Sequence, residues 1–216
     1  SRYAWLMDTN IVIRSVYDAL TKAEVKRYDV AAPGDVANPL AFYAALIHLL
    51  TGHGPGGESG RGTRNKVKRG KPKTAVTVRE FVDVDYAHIE STLADTPDAL
   101  PEIIVYEIDD PKTRQTRKLA AAPRQEEINV NRGGIHAKYV LDSAILRDTT
   151  KIHFSAYITC GGKDYSFDGA SLARLQPFDW RGKLNKDVTW SFDGRFSYFK
   201  FGFRTCYQML FYYRVK

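Results

Sequence analysis

HFSAYITC-GG-KDYSFDGA, residues 153–170, decides the reading of this chain. Two runs rich in aromatic and β-branched residues flank Gly161-Gly162, and a Gly-Gly pair between such runs marks a two-residue hairpin turn. Pairing Cys160 with Lys163 sets the register, and Asp168 then stands opposite Ser155. Side chains two residues apart on a strand share a face. His153 is therefore a diagonal neighbour of Asp168, within side-chain reach. A carboxylate beside an imidazole fixes the ring's tautomer and stabilises its protonated form. Such a pair is the base and the orienting acid of a nucleophilic triad. It is equally an ordinary cross-strand hydrogen bond, and the hairpin alone does not separate the two.

Outward from the hairpin, short apolar runs follow one another: LPEIIVYEID at 100–109, KYVLDSAILRD at 138–148 and TCYQMLFYYRV at 205–215. These predict strands. VTVREFVDVDYAHIESTLAD at 76–95 alternates like a strand in its first half, and its second half fits a helix to about Leu93. Nearer the start, Asp8-Thr9-Asn10 can cap a helix over residues 10–22. Asn38-Pro39 opens a second helix, LAFYAALIHLL, which Gly52 stops. His48 within that helix reads as a core or boundary residue. Helices first and strands after predict an α+β domain, with helices beside an antiparallel sheet. A chain of 216 residues suits one domain. Its parts are a helical part at 1–52, a flexible basic Gly-rich loop at 53–75 and a mainly β part at 76–216.

Composition is that of an ordinary globular protein, 44% hydrophobic and 26% charged. No apolar run approaches the roughly 18 residues that span a bilayer, and Ser1–Trp5 have no signal-peptide layout, so no membrane partner is expected. Two cysteines, Cys160 and Cys206, make neither a disulfide framework nor a CxxC zinc pair. No metal and no cofactor are expected, and the expected compartment is cytoplasmic. The net charge of +7 favours acidic partners. The excess is concentrated in Arg61, Arg64, Lys66, Lys68, Arg69, Lys71 and Lys73 among glycines. That stretch reads as a solvated loop or as an RNA- or phosphate-binding loop. It carries no interleaved aromatics on which bases would stack.

Four segments, in order over residues 100–216, resemble the catalytic domain of ubiquitin-specific, papain-like cysteine proteases. His153 falls on that family's histidine, Tyr165 on the aromatic of its aromatic-x-x-Phe-Asp/Asn segment, and Asp168 on its triad acid. Tyr139–Ile145 is similar to the strand upstream of the histidine. LPEIIVYEI at 100–108 is similar to the Leu-Pro strand, and Cys206–Arg214 to the closing Tyr-x-Leu-Phe-Tyr-x-Arg strand. The resemblance implies a papain-like fold with a helical thumb and an antiparallel β palm. The compact size and Asp168-Gly169 lean toward the shorter viral proteases of this fold.

The resemblance breaks at the N-terminus. Aligned on Ser15 and Leu20, the family's cysteine corresponds to Ile11, and its oxyanion-stabilising asparagine corresponds to Leu6. A helix N-terminus and a nearby histidine would have made that cysteine a thiolate; isoleucine offers no nucleophile. Leucine offers no donor for developing negative charge. Ile152 replaces the glycine before the histidine and is expected to crowd the channel that admits a Gly-Gly tail. Cys160, an odd number of residues from His153, points to the opposite face, and Cys206 is expected in the core of the closing strand. Ile11, His153 and Asp168 thus read as vestigial triad positions, with Leu6 at the oxyanion position.

The expectation is a non-catalytic pseudo-protease acting as a binding, scaffold or structural component of a larger assembly such as a virion, through protein partners. Three alternatives stand beside it. One is binding of ubiquitin or a ubiquitin-like protein without hydrolysis. Another is a nucleic-acid-associated module using loop 61–73. The last is an active deubiquitinase-like protease with an unrecognised nucleophile.

Overall fold

The computed structural model describes residues 17–18, 77–171, 174–193 and 197–215. Within them lie eight strands of one sheet and two α-helices, an α+β arrangement. In chain order these are β1 (Val78–Val82), α1 (Tyr86–Asp95), β2 (Ile103–Ile108), α2 (Arg114–Ala121), β3 (Glu127–Arg132) and β4 (Ile135–Arg147). Then come β5 (Phe154–Cys160), β6 (Lys163–Phe167), β7 (Gln176–Pro177), a 3-10 turn at Arg181–Lys183 and β8 (Gln208–Val215). The sheet order is β1-β2-β8-β4-β5-β6-β7, with β3 also paired to β4.

β4 is the spine of the sheet. Its first half pairs β3, its second half pairs β5, and β8 runs along its other edge. It begins at Ile135, three residues before the expected run, because a second Gly-Gly turn precedes it. Gly133 (φ +51°) and Gly134 (φ +84°) join β3 to β4 in the left-handed region that a tight hairpin turn demands. The expected all-antiparallel sheet is corrected at one edge, where β1 runs parallel to β2. α1 lies between those two strands in the chain and supplies the crossover that a parallel pair requires.

α1 forms where expected and extends to Asp95. Asp85 caps it, accepting from the His88 N–H at 2.8 Å, and Thr96-Pro97 ends it in extended backbone. Tyr86, Ile89 and Leu93 recur at helical spacing and are buried. Full burial of Ile89 and Leu93 contributes about 1.5–3 kcal/mol each. Their face joins Ile104, Tyr106, Ile128, Tyr139, Leu141, Leu210 and Tyr212 in one core. The core continues under β5 and β6 as an aromatic cluster of Tyr157, Phe178, Trp180, Phe192, Phe201 and Phe203.

α2 was not expected, and its stability is mostly polar. Thr113 and Thr116 form a reciprocal capping box at its start. At its end the buried Arg124 guanidinium donates to the carbonyls of Leu119, Ala120 and Ala122. A cation at a helix C-terminus complements the helix dipole.

Tyr17 and Asp18 are helical, inside the helix expected over 10–22. The remaining expectations for 1–52 and the loop at 53–75 lie outside the described residues. Among the described residues, no helix is long and apolar enough to cross a membrane.

Candidate functional site

The hairpin register is the expected one: Cys160 pairs with Lys163 and Ala156 with Phe167 across Gly161 (φ +58°) and Gly162 (φ +72°). Continued by one step, this register carries Asp168 to Ser155. His153, one residue before β5, makes a short Nε2···Oδ1 contact with Asp168. A carboxylate oxygen accepts, so Nε2 carries the donated hydrogen. In the neutral ring Nδ1 is then the acceptor. No described residue engages Nδ1 in a hydrogen bond.

Three features hold this pair in place. The first is Asp168 itself, 1% exposed, whose Oδ1 also accepts from the Ala170 N–H at 3.0 Å. Burial pushes its carboxyl up, but the His153 hydrogen bond, the Ala170 N–H and the His153 charge outweigh that, and its pKa lies below the ordinary value. The second is the turn that delivers His153. Asp148 is 1% exposed and accepts from Thr150 N–H (2.8 Å), the Thr150 hydroxyl, Ile152 N–H (3.1 Å) and His153 N–H (2.9 Å). The Asp148 N–H closes the turn onto the His153 carbonyl at 2.8 Å. Lys151 takes φ +68° within it. The third is Phe199, whose ring stacks on the imidazole at 4.4 Å and 17°. Sequence reading found neither Asp148 nor Phe199. Asp148-Thr149-Thr150 carries a turn signal, but Phe199 carries none that would link it to a histidine so distant in the chain.

Beneath the pair, Tyr157 OH meets the Ser155 hydroxyl at 2.7 Å and accepts from Trp190 Nε1 at 2.9 Å. Burial raises the Tyr157 phenol far above its ordinary value. This chain of polar groups is buried and structural.

Neither cysteine serves the imidazole. Cys160 is exposed at the far end of β5, roughly 20 Å away along a strand rising about 3.3 Å per residue. Cys206 lies in the turn before β8 rather than in the closing strand itself, with its N–H bonded to the Gly202 carbonyl. It is 1% exposed, its thiol donates to the Lys200 carbonyl at 3.7 Å, and burial pushes its pKa up. A buried thiol with a raised pKa is a poor nucleophile. Ile152 is 58% exposed, at the rim of the site. Ile11, Leu6 and the cluster Arg61, Arg64, Lys66, Lys68, Arg69, Lys71 and Lys73 lie outside the described residues.

Two further polar groupings are present, one beside the pair and one at the far end of β5. At the adjoining strand ends, buried Asp110 receives Arg147 (2.8 Å), Lys151 (3.2 Å) and the Tyr207 N–H (3.0 Å). Burial raises its carboxyl, but Lys151 and Arg147 bring it below the ordinary value. At the hairpin tip, an open groove is lined by Thr159, Asp164, Phe178 and Arg181. The Arg181 guanidinium there is already bonded to Thr159, Glu126 and the Leu141 carbonyl. Among the described residues, no three His, Cys, Asp or Glu side chains converge as a metal site.

The arrangement can hold a proton on Nε2 and offer a fixed acceptor at Nδ1. A scan against protein-family models and a search of curated proteins give no match to this chain.

Proposed function

We propose that the chain is a pseudo-protease of the papain-like, ubiquitin-specific type, acting as a binding or scaffold component of a larger assembly such as a viral particle. The observation that carries this reading is an Asp168-held histidine with no thiol able to serve it. His153 and Asp168 are hydrogen-bonded to each other, yet Cys160 is remote and Cys206 is buried, with its pKa pushed up by that burial. Ile11 at the aligned nucleophile position agrees with this. The reading also draws support from the order β2, β4, β5–β6 hairpin and β8, which carries the four resembling segments.

The test is hydrolysis of a fluorogenic ubiquitin C-terminal reporter by the purified full chain. No turnover above buffer is expected. Turnover abolished by His153→Ala would overturn the proposal and favour an active protease with another nucleophile.

A further inference from the structure

Resting on that binding reading, we infer that the rim of the His153 site docks a segment of another protein bearing a bulky apolar side chain flanked by carboxylates. Among the described residues, two strips of chain border the imidazole, Lys151–His153 and Tyr198–Lys200. They are joined by the Thr149 N–H to the Lys200 carbonyl at 2.9 Å and by the Phe199 ring on the imidazole. Ile152 is 58% and Tyr198 55% exposed. A single exposed apolar side chain needs no explanation. Here one stands on each strip, bordering an imidazole whose tautomer is fixed, and the Tyr198 ring is 4.4 Å from that of Phe199.

Charge selects the flanks of the occupant. Among the described residues, the acids that bond His153, Asp148 and Asp168, are each 1% exposed and already accept from protein donors. Asp110, which pairs with Lys151, is 5% exposed. What faces solvent on the two strips is the half-exposed Lys151 and the exposed Lys200. An apolar side chain between Ile152 and Tyr198 would bring adjacent carboxylates against these ammonium groups, and a backbone N–H of the segment would meet Nδ1. Complementary charge fixes register and excludes basic competitors.

The experiment is an NMR titration of the full chain, following the His153 ring resonances. The probes are acetyl-Glu-Phe-Glu-amide, its charge-reversed form acetyl-Lys-Phe-Lys-amide and its apolar-deleted form acetyl-Glu-Gly-Glu-amide. Only the first is expected to shift the ring saturably. Ile152→Ser and Tyr198→Ser should each weaken that binding by about tenfold, as the loss of one large apolar contact would. No response to the first peptide, or equal responses to all three, overturns the inference. The ring signal of the unliganded protein, compared with that of Asp168→Asn, reports the dyad independently. A failure of docking is thereby distinguished from a failure of the site reading.

Discussion

Replacing Asp148 by alanine removes the carboxylate around which the His153 turn is folded. Three N–H groups and one hydroxyl lose their acceptor. Hydrogen bonds to a charged group contribute about 1.5–3 kcal/mol each, but donors that reach water recover most of that. Thr150 is exposed and Ile152 is 58% exposed, so water replaces much of what they lose. The His153 N–H and the positive φ of Lys151 are left without support, and strain at such a residue costs about 1–3 kcal/mol. The net loss comes to about 3 kcal/mol. For a chain of this size, at roughly 2–4 °C per kcal/mol, the melting temperature should fall by about 6–12 °C. Asp148→Asn keeps one acceptor oxygen and should lose about half as much. The assay is thermal unfolding followed by circular dichroism, with the His153 ring nitrogens followed by NMR. In Asp148→Ala the Nε2-protonated signature should weaken as the ring leaves Asp168. A melting shift under about 2 °C with an unchanged ring signature would refute the assignment of Asp148 as the group that positions the histidine.

Asp168→Asn should flatten the acid side of the stability profile. The folded pKa of Asp168 is depressed, so its contribution is present above about pH 4 and lost as pH falls through the lower folded value. The stability gap between wild type and variant, from urea unfolding, should be constant near neutrality and close in acid; a gap that widens in acid would contradict the assignment. Arg124→Met strips five donated hydrogen bonds from a side chain 4% exposed, including those on the α2 carbonyls and on Gln208 and Phe203. It should cost about 3–5 kcal/mol in urea unfolding, and a loss under about 1 kcal/mol would exclude the clamp role. Gly161→Val forces a β-branched residue to φ +58° and should cost about 1–3 kcal/mol; Gly161→Asn should cost distinctly less, and equal costs would argue against the turn geometry.

The hairpin was legible because its signals are local. Gly161-Gly162 fixes the register, and the register alone brings Asp168 to His153. The same signal at Gly133-Gly134 announces β3, yet EINVNR, an alternation with only Ile128 and Val130 apolar, is not among the strands expected from the sequence. RQTRKLAA hides α2 for a similar reason: its buried residues are Thr116 and Ala120, so no apolar stripe marks it. The parallel β1–β2 pairing depends on sheet order, which side-chain alternation does not encode. Phe199 reaches the imidazole through the path of the chain between β7 and β8, which no local pattern fixes. Cys206 was legible as buried, though its place in a turn was not.

The vestigial-triad proposal requires residue 11, isoleucine at the position of the family's nucleophile, to lie beside the Asp168-held imidazole. Installing a thiol by Ile11→Cys, in a Cys160→Ser background, tests it most directly. The measurement is the rate of iodoacetamide labelling of that position against pH, with and without His153→Ala. A thiol beside this imidazole should label with a midpoint well below the roughly 8.5 of a free thiol, and His153→Ala should return it to the ordinary profile. An ordinary profile in both proteins would mean that residue 11 does not face His153, and the vestigial-triad account would fail.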